Sequence, residues 1–301
     1  MLKTFLPGEE ILVSPTHRVK EEGLTADVII PAMHRLEPEL IQNTTARLIH
    51  QFGVGLEGVD IPAATARGIL VCNVPSDATA NNDSTAEHAI FLMMCLARRI
   101  HECFAAFQEG VWGHPVGEAL LGSTALVVGL GRVGKALARK LAALGMKVEA
   151  ISRSSDPEKE RALGIRKTAD VTSLREMASR ADFVISTIAL TEETRDLFNR
   201  DLFQSMKNTA FVINVSRGAV VNEDDLLRAL DQGAVAGAGL DVYAREPLDP
   251  TSPLLSRRNV IATPHVAGAT RQNYEGVARI VADNLLLFKK GETPRFCINA
   301  Q

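Results

Sequence analysis

The chain has 301 residues, 46% hydrophobic and 23% charged, with a formal charge of −3 at pH 7. That length allows one large or two ordinary domains around a substantial core, in the composition range of globular proteins. The small negative charge excludes a general attraction to nucleic acid or anionic membrane, and no apolar run approaches the roughly 20 residues of a membrane span. The opening "MLKTFLPGEE" lacks the apolar core of a signal peptide. Cys72, Cys95, Cys103 and Cys297 show no metal-ligand or CxxC spacing. No metal site is therefore expected, and the thiols are expected to be reduced in a cytoplasmic protein.

The first 80 residues carry a weak α/β pattern: "ADVIIP" (26–31), "ARLIHQF" (46–52) and "ILVCN" (69–73). "NNDSTAEHAIFLMMCLARRIHECFAAFQ" then predicts one long apolar-rich helix, with Ser84 and Glu87 at capping-box spacing. From Leu121 onward, six short apolar runs alternate with amphipathic stretches. They are "TALVVG" (124–129), "KVEAIS" (147–152), "DFVISTI" (182–188), "AFVINVS" (210–216), "VAGAGLDV" (235–242) and "NVIAT" (259–263). Nearly continuous apolar runs of this length suit parallel strands buried on both faces. Between them, Gly145 and Gly233 suit left-handed helix ends, and Asn222 suits an N-cap before three acids. The alternation predicts a doubly wound parallel α/β sheet. A final helix is expected over "ATRQNYEGVARIVADNLLLFKKG". We expect two domains: residues 93–271, and a smaller one built from 1–92 with 272–301. A cleft between them is expected to be the ligand site.

"VVGLGRVG" places Gly129, Gly131 and Gly134 in GxGxxG spacing at a strand end and helix start. The first permits a tight turn and the second lets a pyrophosphate approach the backbone. The third allows close helix–strand packing, while the helix N-terminus contributes partial positive charge. In this strand–turn–helix context the motif predicts dinucleotide binding.

Ligands of open α/β sheets bind beyond the carboxyl ends of the strands. There the sequence offers Arg217 after "AFVINVS", Glu246 after "GAGLDV" and His265 after "NVIAT". Singly, each has an ordinary reading: a surface arginine, a turn-capping glutamate, a loop histidine. Together they suit reduction of a 2-keto acid. A guanidinium grips a carboxylate and polarises a neighbouring carbonyl, and a histidine with a carboxylate partner exchanges a proton near neutral pH.

The segments "GVGLEGVD", "NNDSTAEHA", "VVGLGRVGKALARKL", "VINVSRGAVVNEDDLLRAL", "GAGLDVYAREPL" and "NVIATPHVAGAT" together resemble the signatures of the D-isomer-specific 2-hydroxyacid dehydrogenases. The resemblance runs from about Ala26 onward. It implies a Rossmann cofactor domain inserted in a smaller flavodoxin-like α/β substrate domain, a homodimer, and a small 2-keto or 2-hydroxy acid as substrate. It implies Arg217 as substrate-orienting residue, Glu246 as the partner of the histidine and His265 as acid/base. The backbone amides of Val54 and Gly55 would receive the substrate carboxylate. Cofactor contacts are implied for Thr85, Arg132, Val133, Ile188, Ala189, Val215, Arg217, Asp241, His265 and Gly268, besides the three glycines; Asp241 would lie beside the nicotinamide carboxamide. The N-terminus looks short for the family, so the first strand and helix of the substrate domain are expected to be trimmed or irregular.

Where members that prefer NAD usually carry an aspartate at the close of the second strand, this chain has Ser152, followed by Arg153 and Ser154. Loss of the acid removes repulsion of a 2′-phosphate, and the arginine and serines supply charge and hydroxyls. NADP(H) is therefore expected in preference to NAD(H). The alternative is a solvated loop with Asp156 reaching back to the ribose. For the whole chain, the alternative to a dehydrogenase is a non-catalytic NAD(P)-binding sensor or corepressor-like scaffold. No added tail, basic patch or recruitment segment favours it.

Overall fold

The structure, a computed structural model, describes residues 1–14, 19–154 and 156–300. The chain divides into two compact units, residues 82–268 and residues 1–81 with 269–301. The division thus falls at the start of a helix, Asn81–Ala97, rather than within it at residue 93.

In the smaller unit, strands β1 (Val28–Ile29), β2 (Leu48–His50) and β3 (Leu70–Cys72) pair in parallel and in chain order. No strand precedes Val28 among the described residues; Leu2–Phe5 forms a single helical turn instead. Ile49 and Val71 pack with Leu40, Ile41 and Ala64 from the crossover helices. The 19-residue helix Arg271–Lys289 belongs to this unit and is capped by Thr270, whose hydroxyl accepts from Asn273 N–H at 3.3 Å. Its Val277 and Val281 pack on Val74.

The larger unit is one seven-stranded parallel sheet. Its strands are β4 (Thr124–Val128), β5 (Lys147–Ile151), β6 (Ile165–Ala169), β7 (Phe183–Ser186), β8 (Phe211–Asn214), β9 (Gly237–Leu240) and β10 (Val260–Ala262). The order is β10-β9-β8-β7-β4-β5-β6. The direction of winding reverses between β4 and β7, which makes that crevice the switch point of a Rossmann sheet. Both faces are covered. Leu126, Val128, Val184 and Val212 face a core with Phe198, Phe203 and Leu226. Ala125, Val127, Ile185 and Ile213 face Leu92, Leu137 and Leu141 on the other side. That two-sided burial is why the strands read as unbroken apolar runs.

Three expectations are corrected here. Six strands were expected, but a seventh, β6, forms the sheet edge; Arg166 and Lys167 are exposed on it, and charge on an edge strand hides it from a search for apolar runs. The long helix after residue 80 is two helices, Asn81–Ala97 and Ile100–Gln108, divided at Arg99, whose φ is +52°. A distant segment makes the break. Glu118 N–H donates to the Ala97 carbonyl at 2.8 Å, and a Cβ on Gly117 would lie 2.5 Å from that oxygen. Ser84 is also no N-cap, because the helix starts three residues earlier. Glu87 instead meets Lys140 at 2.9 Å, alongside Asp83 at 3.0 Å. Asn222 does cap its helix, its side chain accepting from Asp225 N–H at 3.0 Å.

Candidate active site

The glycine turn follows β4. Gly129 has φ +102°, and a Cβ there would lie 2.8 Å from the Ile188 Cα, so both backbone and space require glycine. A Cβ on Gly134 would lie 1.9 Å from the Gly129 carbonyl oxygen, which Thr187 Oγ1 already contacts at 2.7 Å. Gly131, by contrast, has nothing within 4 Å of its Cβ position, and it stands at the N-terminus of the helix Arg132–Ala143 without a side-chain cap. A tight turn, an open face and a helix N-terminus with no side chain over it at Gly131 together fit a dinucleotide pyrophosphate. Arg132 is exposed and Val133 half-buried in the first turn of that helix. Ile188 and Ala189 follow β7 across the switch point, and Thr85 is buried in the helix Asn81–Ala97.

At the end of β5, Ser152 is half-buried and its N–H donates to the Ala169 carbonyl at 2.9 Å. Arg153 and Ser154 are exposed, and Asp156 is half-buried before the helix Pro157–Leu163.

Beyond β8 the chain turns through Val215, Ser216 and Arg217. Buried Asn214 ties this turn: its Nδ2 donates to the Arg217 carbonyl at 3.0 Å, and its Oδ1 accepts from Ser216 N–H and Oγ. Ser216 Oγ also lies 2.7 Å from Ser186 Oγ on β7. Gly218 then passes so close to the next loop that a Cβ would lie 1.8 Å from the Tyr243 carbonyl carbon.

Glu246 and His265 lie in the loops beyond β9 and β10. His265 Nδ1 meets Glu246 Oε2 at 2.7 Å, and the other carboxylate oxygen accepts from Tyr243 N–H at 3.0 Å. Burial opposes the Glu246 charge. The bonds from His265 and Tyr243, aided by the nearby charges of His265 and Arg217, outweigh it and hold the carboxyl below its usual range. An Nδ1–H donated to the carboxylate leaves Nε2 as the ring atom available to a substrate.

His265 is itself in the left-handed region, with φ +52°. Asp241, fully buried, holds it there. The Asp241 carbonyl accepts from His265 N–H at 2.8 Å, Oδ1 accepts from Val266 N–H at 2.8 Å, and Oδ2 accepts from Ala267 N–H at 2.8 Å. Thr263 Oγ1 donates to the same Oδ1 at 2.6 Å, and His88 Nε2 lies 2.9 Å from Thr263 Oγ1. With its proton given to Asp241, the Thr263 hydroxyl can only accept from His88, which fixes a hydrogen on His88 Nε2. Burial disfavours the Asp241 charge, but His88, Thr263 and the two amides more than compensate and its carboxyl lies below the ordinary range. Gly268, half-buried, ends this loop.

Arg217, Glu246 and His265 thus gather beyond consecutive strands of one sheet. Val54 and Gly55 belong to the smaller unit, in the loop after β2, where the Val54 carbonyl accepts from Asn73 Nδ2 at 2.8 Å and the Gly53 carbonyl from Val74 N–H at 2.8 Å. Asn214, Ser216, His88 and Thr263 escaped sequence reading. Their available signal was polarity inside or beside apolar runs, as in "VINVS", "NVIAT" and "EHAIF". Among the described residues no group of three or more His, Cys, Asp or Glu could hold a metal ion, and no helix is long and apolar enough to cross a membrane.

A family model for the NAD binding domain of D-isomer specific 2-hydroxyacid dehydrogenases matches residues 90–267. The chain is 39% identical to a glyoxylate reductase of Thermococcus kodakarensis over 264 residues, 85% of this chain and 77% of that one. It is 38% identical over 301 residues to a D-3-phosphoglycerate dehydrogenase of Archaeoglobus fulgidus, covering 99% of this chain and 54% of the other. Among solved structures, an NADPH-dependent glyoxylate/hydroxypyruvate reductase from Sinorhizobium meliloti, in complex with NADP and malonate, superposes with a TM-score of 0.76. The identity there is 32%, over 88% of this chain and 82% of that one. A Rossmann sheet with a glycine cradle at its switch point, in this company, defines an NAD(P)-dependent dehydrogenase that transfers hydride to a keto acid. The chain belongs to the D-isomer specific 2-hydroxyacid dehydrogenase family.

Proposed function

We propose that this dehydrogenase reduces a small 2-keto acid, of the glyoxylate or hydroxypyruvate type, to its D-2-hydroxy acid with NADPH preferred over NADH. The observation that carries the reading is the 2.7 Å pairing of His265 Nδ1 with Glu246, beside Arg217 and past the ends of β8, β9 and β10. When bound, the reduced nicotinamide supplies a hydride to the carbonyl carbon. Arg217 grips the substrate carboxylate and polarises the carbonyl. His265 gives its Nε2 proton to the carbonyl oxygen, and Glu246, steadied by Tyr243 N–H, stabilises the charged ring and fixes its orientation. The amides of Val54 and Gly55 are assigned to the substrate carboxylate, and Thr85, Val215, Ile188, Ala189, Asp241 and Gly268 to cofactor contacts.

The NADPH preference rests on Ser152, Arg153 and Ser154. A serine at the strand end presents no negative charge to a 2′-phosphate, and exposed Arg153 offers a guanidinium for it. We assign the chain as a homodimer. Phe104, Phe107, Trp112, Val116 and Leu121 are exposed along one stretch of sequence, Trp112 by 81%. Apolar side chains concentrated in this way favour covering by a partner surface.

A panel of 2-keto acids assayed with NADPH and with NADH tests the reading. His265→Ala is expected to lose most turnover while still binding cofactor, and Arg153→Ala to erode the preference for NADPH. Equal or better kcat/KM with NADH in the unmutated enzyme would overturn the cofactor assignment. Wild-type turnover by His265→Ala would overturn the acid/base assignment. Trp112→Asp is expected to lower the molar mass measured by light scattering towards that of one chain.

A further inference from the structure

We propose that Cys72 and Cys297 are a latent disulfide pair that joins the C-terminal segment to β3 when the protein meets a hydroperoxide. The two residues form an antiparallel bridge. Flanking it, Asn73 N–H donates to the Phe296 carbonyl at 3.4 Å, and Ile298 N–H to the Val71 carbonyl at 2.8 Å. Both bonds come from the neighbours of the cysteines, not from the cysteines, so the pair occupies a non-hydrogen-bonded site. At such sites Cα atoms lie about 4.5 Å apart with side chains on the same face, inside the window of about 4.4–6.8 Å that disulfides require. The register is held from beyond the pair as well. Asn299 Oδ1 accepts from Val71 N–H at 2.8 Å, while its Nδ2 donates to the Ile69 carbonyl at 2.9 Å and to Thr65 Oγ1 at 2.8 Å.

The two thiols differ in access. Cys72 is fully buried and Cys297 half-buried. Burial, reinforced by the neighbouring Cys297 thiol, pushes the Cys72 thiol well above the usual range, while Cys297 Sγ lies 3.6 Å from Asn299 Oδ1. Cys297 therefore reacts first. Its thiolate sulfur attacks one peroxide oxygen, the O–O bond breaks, and the departing hydroxide takes up a proton as water, leaving a sulfenic acid. The Cys72 sulfur then attacks the Cys297 sulfur; the S–S bond forms, the S–O bond breaks, and the Cys72 proton leaves with the hydroxide as a second water. Two thiols are oxidised by two electrons and one hydroperoxide is reduced. Sequence spacing hides this pair, because the residues are brought together only by the return of the C-terminal segment.

The test treats the full-length protein with hydrogen peroxide, denatures it in alkylating agent without reductant, and maps its peptides by mass. The expected product is one cross-linked species joining the Cys72 and Cys297 peptides, lighter than their sum by about 2 Da, dispersed by dithiothreitol and absent from Cys297→Ser. Cys95 and Cys103, in the other unit, are expected to remain alkylated. Recovery of Cys297 as sulfinic or sulfonic acid without the cross-link, or of both thiols alkylated after oxidation, would overturn the proposal.

Discussion

Gly218→Ala isolates how the loops of β8 and β9 are held in register. The atoms a new Cβ would meet are backbone: the Tyr243 carbonyl carbon at 1.8 Å, its oxygen at 1.9 Å and Ala244 N at 2.3 Å. No rotamer change relieves such a clash, so the two segments must separate by about 1.5 Å to reach ordinary van der Waals contact. Gly218 has no positive φ, so the cost is spatial and not conformational. Overpacking of this kind costs about 1–3 kcal/mol, which in a unit of this size lowers Tm by roughly 2–4 °C per kcal/mol. The catalytic cost is larger. Arg217 precedes the glycine directly, and Tyr243 N–H anchors Glu246, so opening the contact moves the proposed substrate grip away from the proposed acid/base pair. A misplacement of about 1 Å costs on the order of 100-fold in rate. Steady-state kinetics should show kcat reduced by about that factor, while fluorescence titration gives a cofactor Kd raised far less than kcat falls, because the glycine cradle lies two strands away on β4. Wild-type kcat with unchanged Tm would refute the reasoning. Gly233→Ala is the matched control: φ is +64° but nothing lies within 4 Å, so it should cost about 1 kcal/mol of stability and leave kcat intact.

Gly134→Ala, which drives a Cβ to 1.9 Å from the Gly129 oxygen, should weaken dinucleotide binding at least tenfold in the same titration. Asp241→Asn removes the acceptor for Val266 or Ala267 N–H and leaves a buried donor facing a donor. It should lower kcat by about 100-fold and Tm by several degrees, since each charge-assisted bond is worth roughly 1.5–3 kcal/mol. His50 is buried and neutral, its Nδ1 donating to the Gln51 carbonyl and its Nε2 accepting from Asn284; burial, only partly offset by the Gln51 bond, lowers its pKa to about 4. The unfolded chain binds that proton near pH 6.5 and the folded chain only near 4, so stability should fall as pH drops through this window, by up to about 3 kcal/mol. Urea denaturation at stepped pH checks this, and an identical pH slope in His50→Gln would contradict it.

How much of this was legible depends on where the determining contacts lie along the chain. β4 and β8 read clearly because each residue of "ALVV" and "VI" is buried against one of the two cores. β6 did not, since Arg166 and Lys167 face solvent at the sheet edge. The break at Arg99 was equally hidden, because it is imposed by Gly117 and Glu118 and not by residues within the helix. The same distinction governs the site. Arg217, Glu246 and His265 could be singled out because each follows an apolar run, a local signal. Contacts such as His88 with Thr263 span 175 residues of sequence, and composition or period carries no trace of them.

Asp241 shows why the hidden contacts matter to the chemistry. A histidine at φ +52° is held in a conformation that costs on the order of 1–3 kcal/mol and persists only where its surroundings over-determine it. Three successive amides, of His265, Val266 and Ala267, end on the carbonyl and carboxylate of Asp241. These bonds offset the backbone cost and set the direction of the imidazole before any substrate arrives. Oδ1 is already shared between Thr263 and Val266, with His88 at 3.4 Å, whereas Oδ2 accepts from Ala267. A carboxamide partner would therefore have to be served by Oδ2. Substitution of Asp241 is then expected to disturb the loop of the proposed acid/base first and the proposed cofactor contact second, so a loss of kcat larger than the loss of cofactor affinity separates the two roles.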